Sequence, residues 1–539
     1  MKYKKLTYAD PHDTPSSKTL KAVVNGSNDW YGACSLENFS SASSLSLTHE
    51  DAQGFLDYPT GFAGKAANFW FKDAGVQVWG YEEAYDNWQD TYGMDAVTVF
   101  YHSGHGNMDG NGVFQAPLGA KWDNRDWTFS NQMAFANEEL RYLFFSTCLS
   151  LRVSGTNNPV KTWWNPNKGG LRMLFGYETT SVDDPNYGKF FWEEWKKGKS
   201  FARAFLDASW RISHGQVPTV MASGANQAEA VNMLNNEKFF SRAAAVKNWY
   251  QWQWVGTLPS SAPKASLLIM PKQANAIILG KDIFDDERIG KIANELGLTK
   301  TQAETVLFDA DGNRVLKGKD ILLNVNREGA LNIHLAAPNT ANKNAIAPSK
   351  ATSIAQKAIK DLGFDKGIEL KEGNMRHRLT CGGTTKGSGQ IDETTVVETI
   401  VQFRQAHKGI ESINSDHGLI TVSVDNDGNV TNIYNSTKQV LGETQKPSSI
   451  IASPKASQKE AVSVEDVFRS KIAAIASASG NGHNGQLKAA DSAAATVLRE
   501  TIGYDFSDNL GLVTHQKDVE IALTEQFKKR YKLRVPVMG

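Results

Sequence analysis

Short, nearly unbroken apolar runs recur through the first 250 residues of the chain. DAVTVFY (95–101), RYLFFST (141–147) and LRMLFGYE (171–178) predict strands buried on both faces, as in a parallel sheet. LKAVVNG (20–26) and GVQVWG (75–80) predict two more strands. Between them, 50–74 predicts a helix with a loop or break, 81–93 a mostly helical stretch, and 187–197 and 200–213 two further helices. Strands alternating with helices imply an α/β layered sheet.

Beyond residue 260 the pattern changes. A helix is expected over 351–363, capped by Ser349, and the segments 394–410 and 419–435 alternate as antiparallel strands. VDNDGNV (424–430) places Asp-Gly-Asn between alternating strands and predicts a hairpin, and LFDADGNRVL (307–316) repeats it. Neither carries the spaced acids and terminal Glu of an EF-hand calcium loop. Residues 464–476 and 495–515 read as helix then strands, and 520–537 mixes helical and strand signals.

Three Pro/Ser/Ala/Lys-rich stretches, 257–264, 337–350 and 443–460, fall where boundaries are expected. They divide the chain into a domain over 1–260, a small mostly-β domain over 261–345, an α+β domain over 346–445, and a C-terminal α+β segment over 446–539 without a chemical signal. For 539 residues, that number of domains is ordinary.

Composition narrows the function classes. Hydrophobic residues make up 40% and aromatics 10%, enough for packed cores. Lys+Arg and Asp+Glu both number 58, so no global basic field exists to hold nucleic acid. The basic start MKYKK has no apolar segment behind it, so no signal peptide is expected, and no run of ~18 apolar residues predicts a membrane span. The compartment is left open between cytoplasmic and exported. Three cysteines, Cys34, Cys148 and Cys381, are too few and too scattered for a disulfide framework or a cysteine zinc site. Cys34 and Cys381 read as small core hydrophobes.

Chemistry concentrates in DAVTVFYHSGHGNMDG (95–110) and RYLFFSTCLS (141–150). Each is a buried-strand pattern that ends in a reactive residue, and sites in open α/β sheets form past the carboxyl ends of strands. The 43 residues between His105 and Cys148 allow a crossover between parallel neighbours. A free thiol is only a few per cent thiolate at neutral pH, and an adjacent imidazole activates it and can then protonate a leaving amine. Gly106 N–H and Cys148 N–H are candidate oxyanion donors. His102 reads as a loop or supporting residue, and His214 as a helix-end residue.

SGHG (103–106) and FFSTC (144–148) resemble the histidine motif and nucleophile strand of the caspase/gingipain clan of cysteine peptidases. The resemblance spans roughly residues 20–250. It implies a caspase-like α/β sandwich with a mostly parallel central sheet, thiol peptidase activity on protein or peptide substrates, and no cofactor. It also implies a His105/Cys148 dyad with an oxyanion hole from Gly106 and Cys148. The caspase signature Q-A-C-x-G is absent around Cys148, so the gingipain-, separase- or CHAT-like branches fit better than caspases proper. In the clan the strand after the nucleophile leads into the wall that reads the substrate side chain. Here Asp183, Asp184 and, less directly, Glu178 could select a basic side chain, although the two aspartates also suit a turn ahead of Pro185.

A second resemblance covers 396–436 and the helix over 351–364. The V-x-F-x-Q-x-x-x-G-I strand and turn, followed by the D-x-D-G-N-V hairpin, is similar to PepSY or propeptide-type domains. That family implies an inhibitory or chaperone role, so this segment is expected to restrain or position the catalytic domain. Two rival readings stand beside the peptidase. One is a non-catalytic interaction or assembly protein on a caspase-like fold. The other is a metal-dependent hydrolase using His102, His105 and Asp109, although these follow a strand and no Glu sits between the histidines.

Overall fold

The computed structural model of the chain describes residues 2–5, 10–12, 29–256, 275–280, 284–309, 311–384, 389–444, 463–479, 495–506, 509–523 and 527–537. The strand expected over 20–26, the boundary stretch 257–264 and most of 443–460 lie outside these residues.

Five parallel strands stand side by side in the spatial order Phe69–Lys72, Tyr31–Ser35, Val99–Ser103, Tyr142–Ser146 and Met173–Tyr177. The last four are buried along their whole length, as their unbroken apolar runs require. Alternate side chains feed opposite cores. Phe100, Leu143 and Phe145 enter one, and Val99, Tyr101, Tyr142 and Phe144 enter the other. The second core is roofed by the helices Thr48–Ala63, Tyr187–Trp195 and Phe201–Ile212, which contribute Phe55, Phe191 and Phe205. Ser200 caps the last of these by accepting the Arg203 N–H at 3.3 Å.

Three expectations for this region are corrected. The window 50–74 holds the helix Thr48–Ala63 and then a strand, Phe69–Lys72, whose FWF run suits a pleated, half-buried surface. Residues 75–80 form 3₁₀ turns rather than a strand, because 69–72 already occupies the place beside Tyr31–Ser35. The helix expected over 81–93 shortens to a 3₁₀ turn and Asp86–Tyr92.

The central sheet is mixed rather than mostly parallel. After Met173–Tyr177 it continues antiparallel through Pro218–Gly224, Trp249–Gly256, Arg376–Thr384, Thr395–His407, Leu419–Asp425 and Val430–Asn435. It then passes to Leu331–His334 and back through successive hairpins to Thr305–Phe308, edged by Lys2–Lys5, for 18 strands among the described residues. The physical reason is connectivity. Parallel neighbours need long crossovers, whereas adjacent antiparallel strands are joined by short hairpins. The boundaries expected at 260 and 345 are therefore crossed by one hydrogen-bonded sheet.

Both expected hairpins form. Asp425 Oδ1 accepts the Asp427 and Asn429 N–H groups at 3.0 and 2.8 Å, and Gly428 takes φ +90°. Asp309 Oδ1 accepts the Asn313 N–H at 2.7 Å, with Gly312 at φ +78°. The helix expected over 351–363 is Pro348–Asp361. Ser349 does not cap it, because Pro348 occupies the first turn and Ala347 the cap position.

A buried ion network ties the parallel and antiparallel regions together. Arg203 pairs with Asp207 at 2.8 Å and also with Glu398, which in turn accepts Arg378 Nε at 2.9 Å. A second sheet, of five strands among the described residues, places Leu510–Ala522 between Ala495–Asp505 and Lys528–Pro536. The segment of mixed signal thus ends in a strand. Among the described residues no helix is long and apolar enough to cross a membrane.

Candidate active site

The strands Val99–Ser103 and Tyr142–Ser146 pair in parallel with Ser103 opposite Ser146. His105 and Cys148 each lie two residues past that pair, so the register itself carries both to one sheet edge. Gly106 then packs on the turn that bears the thiol. A Cβ there would stand 2.6 Å from the Cys148 carbonyl oxygen and 2.8 Å from Thr147 Cβ. The turn bends sharply at Leu149, a non-glycine residue at φ +57°, and its N–H donates to the Thr179 carbonyl at 3.1 Å. Because the obstructing atoms at Gly106 include backbone, Gly106→Ala is expected to cost about 1–3 kcal/mol of stability, read by urea unfolding.

The imidazole of His105 is 1% exposed, and its Nε2 lies 3.0 Å from the Ser43 carbonyl oxygen. A carbonyl can only accept, so Nε2 carries the proton and Nδ1 keeps the lone pair. Burial, reinforced by the nearby Lys529 ammonium, pushes the imidazole down to about 3. His105 is therefore neutral at physiological pH. Phe39 flanks the ring at 4.8 Å.

Cys148 is also 1% exposed. Its sulfur accepts the Ser181 N–H at 3.3 Å and lies 3.5 Å from Ser181 Oγ. The carbonyl oxygens of Lys528 and Ser181 lie 3.6 and 3.9 Å from the sulfur, and either can accept its S–H. Cys34 and Cys381 are buried in the core, and their thiols are pushed up to about 12 and about 11. Both are packing residues, in line with the sequence reading.

The remaining candidates separate. Asp184 Oδ1 accepts the Asn186 N–H at 3.0 Å and its Nδ2 at 2.9 Å, which is the turn role ahead of the helix Tyr187–Trp195. Glu178 binds the loop after Cys148 through Val153 N–H, Ser154 Oγ and Arg152. It braces that loop and is not left to meet a substrate cation. Asp183 sits on the segment that contacts the thiol, where burial raises its carboxyl and Lys529 opposes the rise. Beside it lies a cavity of about 280 Å³, bounded by Ser46, Ile475 and Tyr531.

His102, His105 and Asp109 do not converge. His102 Nδ1 meets the Tyr81 hydroxyl at 2.8 Å, whereas Asp109 caps its own turn through the Asn111 and Val113 N–H groups. Among the described residues no group of three His, Cys, Asp or Glu side chains is arranged to hold a metal ion. His214 follows the helix Phe201–Ile212, as expected, and packs against Trp210 with ring centroids 4.5 Å apart and planes tilted at 38°.

Three features of the site have no signature in the sequence pattern. The Ser43 carbonyl and the Ser181 N–H are backbone groups, which any residue type supplies. The third is Phe527 and the start of the strand Lys528–Pro536, which reach His105 and Cys148 from far along the chain. The segment 396–436, from which restraint was expected, joins the sheet as neighbouring strands.

A family model for a domain of unknown function, DUF6345, matches residues 28–255, the region that carries both His105 and Cys148. None of the curated proteins compared with the chain matches it.

Proposed function

We propose that the chain is a cysteine endopeptidase of the caspase/gingipain type, with a caspase-like sandwich at its core. Cys148 is the nucleophile and His105 the general base and then acid. The observation that carries the reading is the in-register pairing of two buried parallel strands, each followed two residues later by one partner of the dyad. The Ser43 carbonyl supports it by fixing the imidazole tautomer that leaves Nδ1 free to take a proton.

In this reading His105 Nδ1 takes the thiol proton and the sulfur attacks the scissile carbonyl carbon. The tetrahedral oxyanion is met by the Gly106 and Cys148 N–H groups. As the C–N bond breaks, His105 returns the proton to the leaving amine, and water then hydrolyses the thioester by the same relay. The PepSY-like segment positions the catalytic half through the shared sheet and the Arg203–Glu398–Arg378 network.

The test uses the full chain and a proteome-derived peptide library, with new termini read by mass spectrometry. Wild type and Lys529→Glu are each compared with the corresponding Cys148→Ala chain. Cleavages that vanish with Cys148 support the peptidase. If neither chain yields a Cys148-dependent cleavage, the reading fails and the non-catalytic rival takes its place.

A further inference from the structure

The thiol and imidazole are covered by the chain itself. Phe527, 2% exposed, lies between His105, with ring centroids 5.0 Å apart and planes at 26°, and Trp127, at 5.2 Å and 19°. The next residue turns its carbonyl oxygen to the Cys148 sulfur at 3.6 Å. Lys529 is 3% exposed, and its Nζ lies 3.2 Å from Ser181 Oγ. Burying an ammonium costs heavily unless it is partnered; here Ser181 Oγ is within hydrogen-bond reach, and the Asp183 carboxylate acts on it through charge without a direct ion pair.

Arg530 completes the seat as an added strand. Its N–H donates to the Ser181 carbonyl and its own carbonyl accepts the Asp183 N–H, both at 3.3 Å, forming a parallel bridge to Val182. Recognition therefore combines main-chain pairing, indifferent to sequence, with one aromatic and one cationic contact that are not.

We propose that the cleft at Cys148 binds extended basic peptides, laid along 181–183 with a lysine beside Ser181 and Asp183, and that residues 527–530 are its resident, displaceable occupant. The inference rests on reading Cys148 and His105 as a catalytic dyad only for its consequence, which is restraint of cleavage. The occupancy is a matter of geometry. The occupant meets the thiol through the Lys528 carbonyl oxygen, 3.6 Å from the sulfur. Nothing covalent fixes it. Its other edge pairs with Leu510–Ala522, so it can leave as part of a hairpin.

The test has two arms, both independent of turnover. In the first, iodoacetamide labelling of the full chain is followed at each cysteine by peptide mass spectrometry. Cys148 in wild type should label as slowly as Cys34 and Cys381. Lys529→Glu should speed Cys148 by about tenfold or more while the other two stay protected. Phe527→Ala, which alters a residue outside the strand, repeats the measurement should Lys529→Glu unfold and expose all three. In the second arm, a labelled Phe-Lys-Lys-Arg-Tyr-Lys peptide is titrated into the Lys529→Glu, Cys148→Ala chain by fluorescence anisotropy. It should bind at least about tenfold tighter than Phe-Lys-Glu-Arg-Tyr-Lys. Rapid Cys148 labelling in wild type, or no acceleration in either variant with Cys34 and Cys381 protected, overturns the occupancy. Equal affinity of the two peptides overturns the lysine site. Peptide binding and thiol exposure without any cleavage of the library would leave this inference standing and remove the peptidase.

Discussion

In the full chain opened by Lys529→Glu, His105→Ala is expected to lower Cys148-dependent peptide cleavage by about 10²–10⁴-fold, the range a positioned general acid–base supplies. The pH dependence should separate this from a packing effect. In the closed chain burial and Lys529 hold the imidazole near 3, where it is a weak base for a thiol. Removing the ammonium and admitting water both favour the imidazolium, so the group moves up toward the ordinary value of ~6.5. The acid limb of kcat/KM in the opened chain should therefore lie well above 3, and it should vanish in the His105→Ala version. Measured across pH 4–8, a limb that persists without His105 would assign it to another group. An undiminished rate would deny His105 the role of base.

The second large effect concerns stability. Glu398 is fully buried, and its carboxylate accepts hydrogen bonds from Arg378 at 2.9 Å, from Arg203, and from the Thr431 hydroxyl. The two guanidinium groups hold its carboxyl below the usual range despite burial. Glu398→Ala leaves both arginines buried without this carboxylate, and such losses cost about 3–5 kcal/mol. Urea denaturation of the full chain should show a loss of that order. Glu398→Gln, which keeps acceptor and donor atoms in place, should cost distinctly less. Equal losses would mean that packing, not charge, holds this junction. Because the network joins the helix Phe201–Ile212 to the strands Arg376–Thr384 and Thr395–His407, the weakened chain should also lose protection from exchange in those strands.

That His105 and Cys148 would share one sheet edge was legible because the strands before them are buried on both faces. Their apolar runs are unbroken, and each stops at a reactive side chain, so position and chemistry coincide in a few residues. The hairpins at 307–316 and 424–430 were legible for an equally local reason, since Asp, Asn and Gly set the turn by bonding their own backbone. The strand Phe69–Lys72 was missed because a three-aromatic run fits a helix face as well as a pleat, and only its parallel neighbour decides. Asp183 and Asp184 look alike in sequence. What separates them is that one carboxylate turns back onto Asn186, while the other lies on the segment where Arg530 adds as a strand. No local signal could bring 527–530 to Cys148, because that contact joins residues 380 apart in the chain. The single sheet across the expected boundaries was hidden for a similar reason: linker composition reports where the chain is polar, not where strands from either side meet.

That sheet sets a timing problem during synthesis. The strand Trp249–Gly256, rich in tryptophan, leaves the ribosome well before its neighbour Arg376–Thr384, which follows about 120 residues later. At ~5–20 residues per second the nascent chain carries this unpaired aromatic edge for roughly 6–25 s. An edge of that kind is a template for pairing with other chains. Yield in the cell should therefore depend on translation speed through the intervening stretch and on chaperones that shield the edge, more than on the stability of the finished molecule.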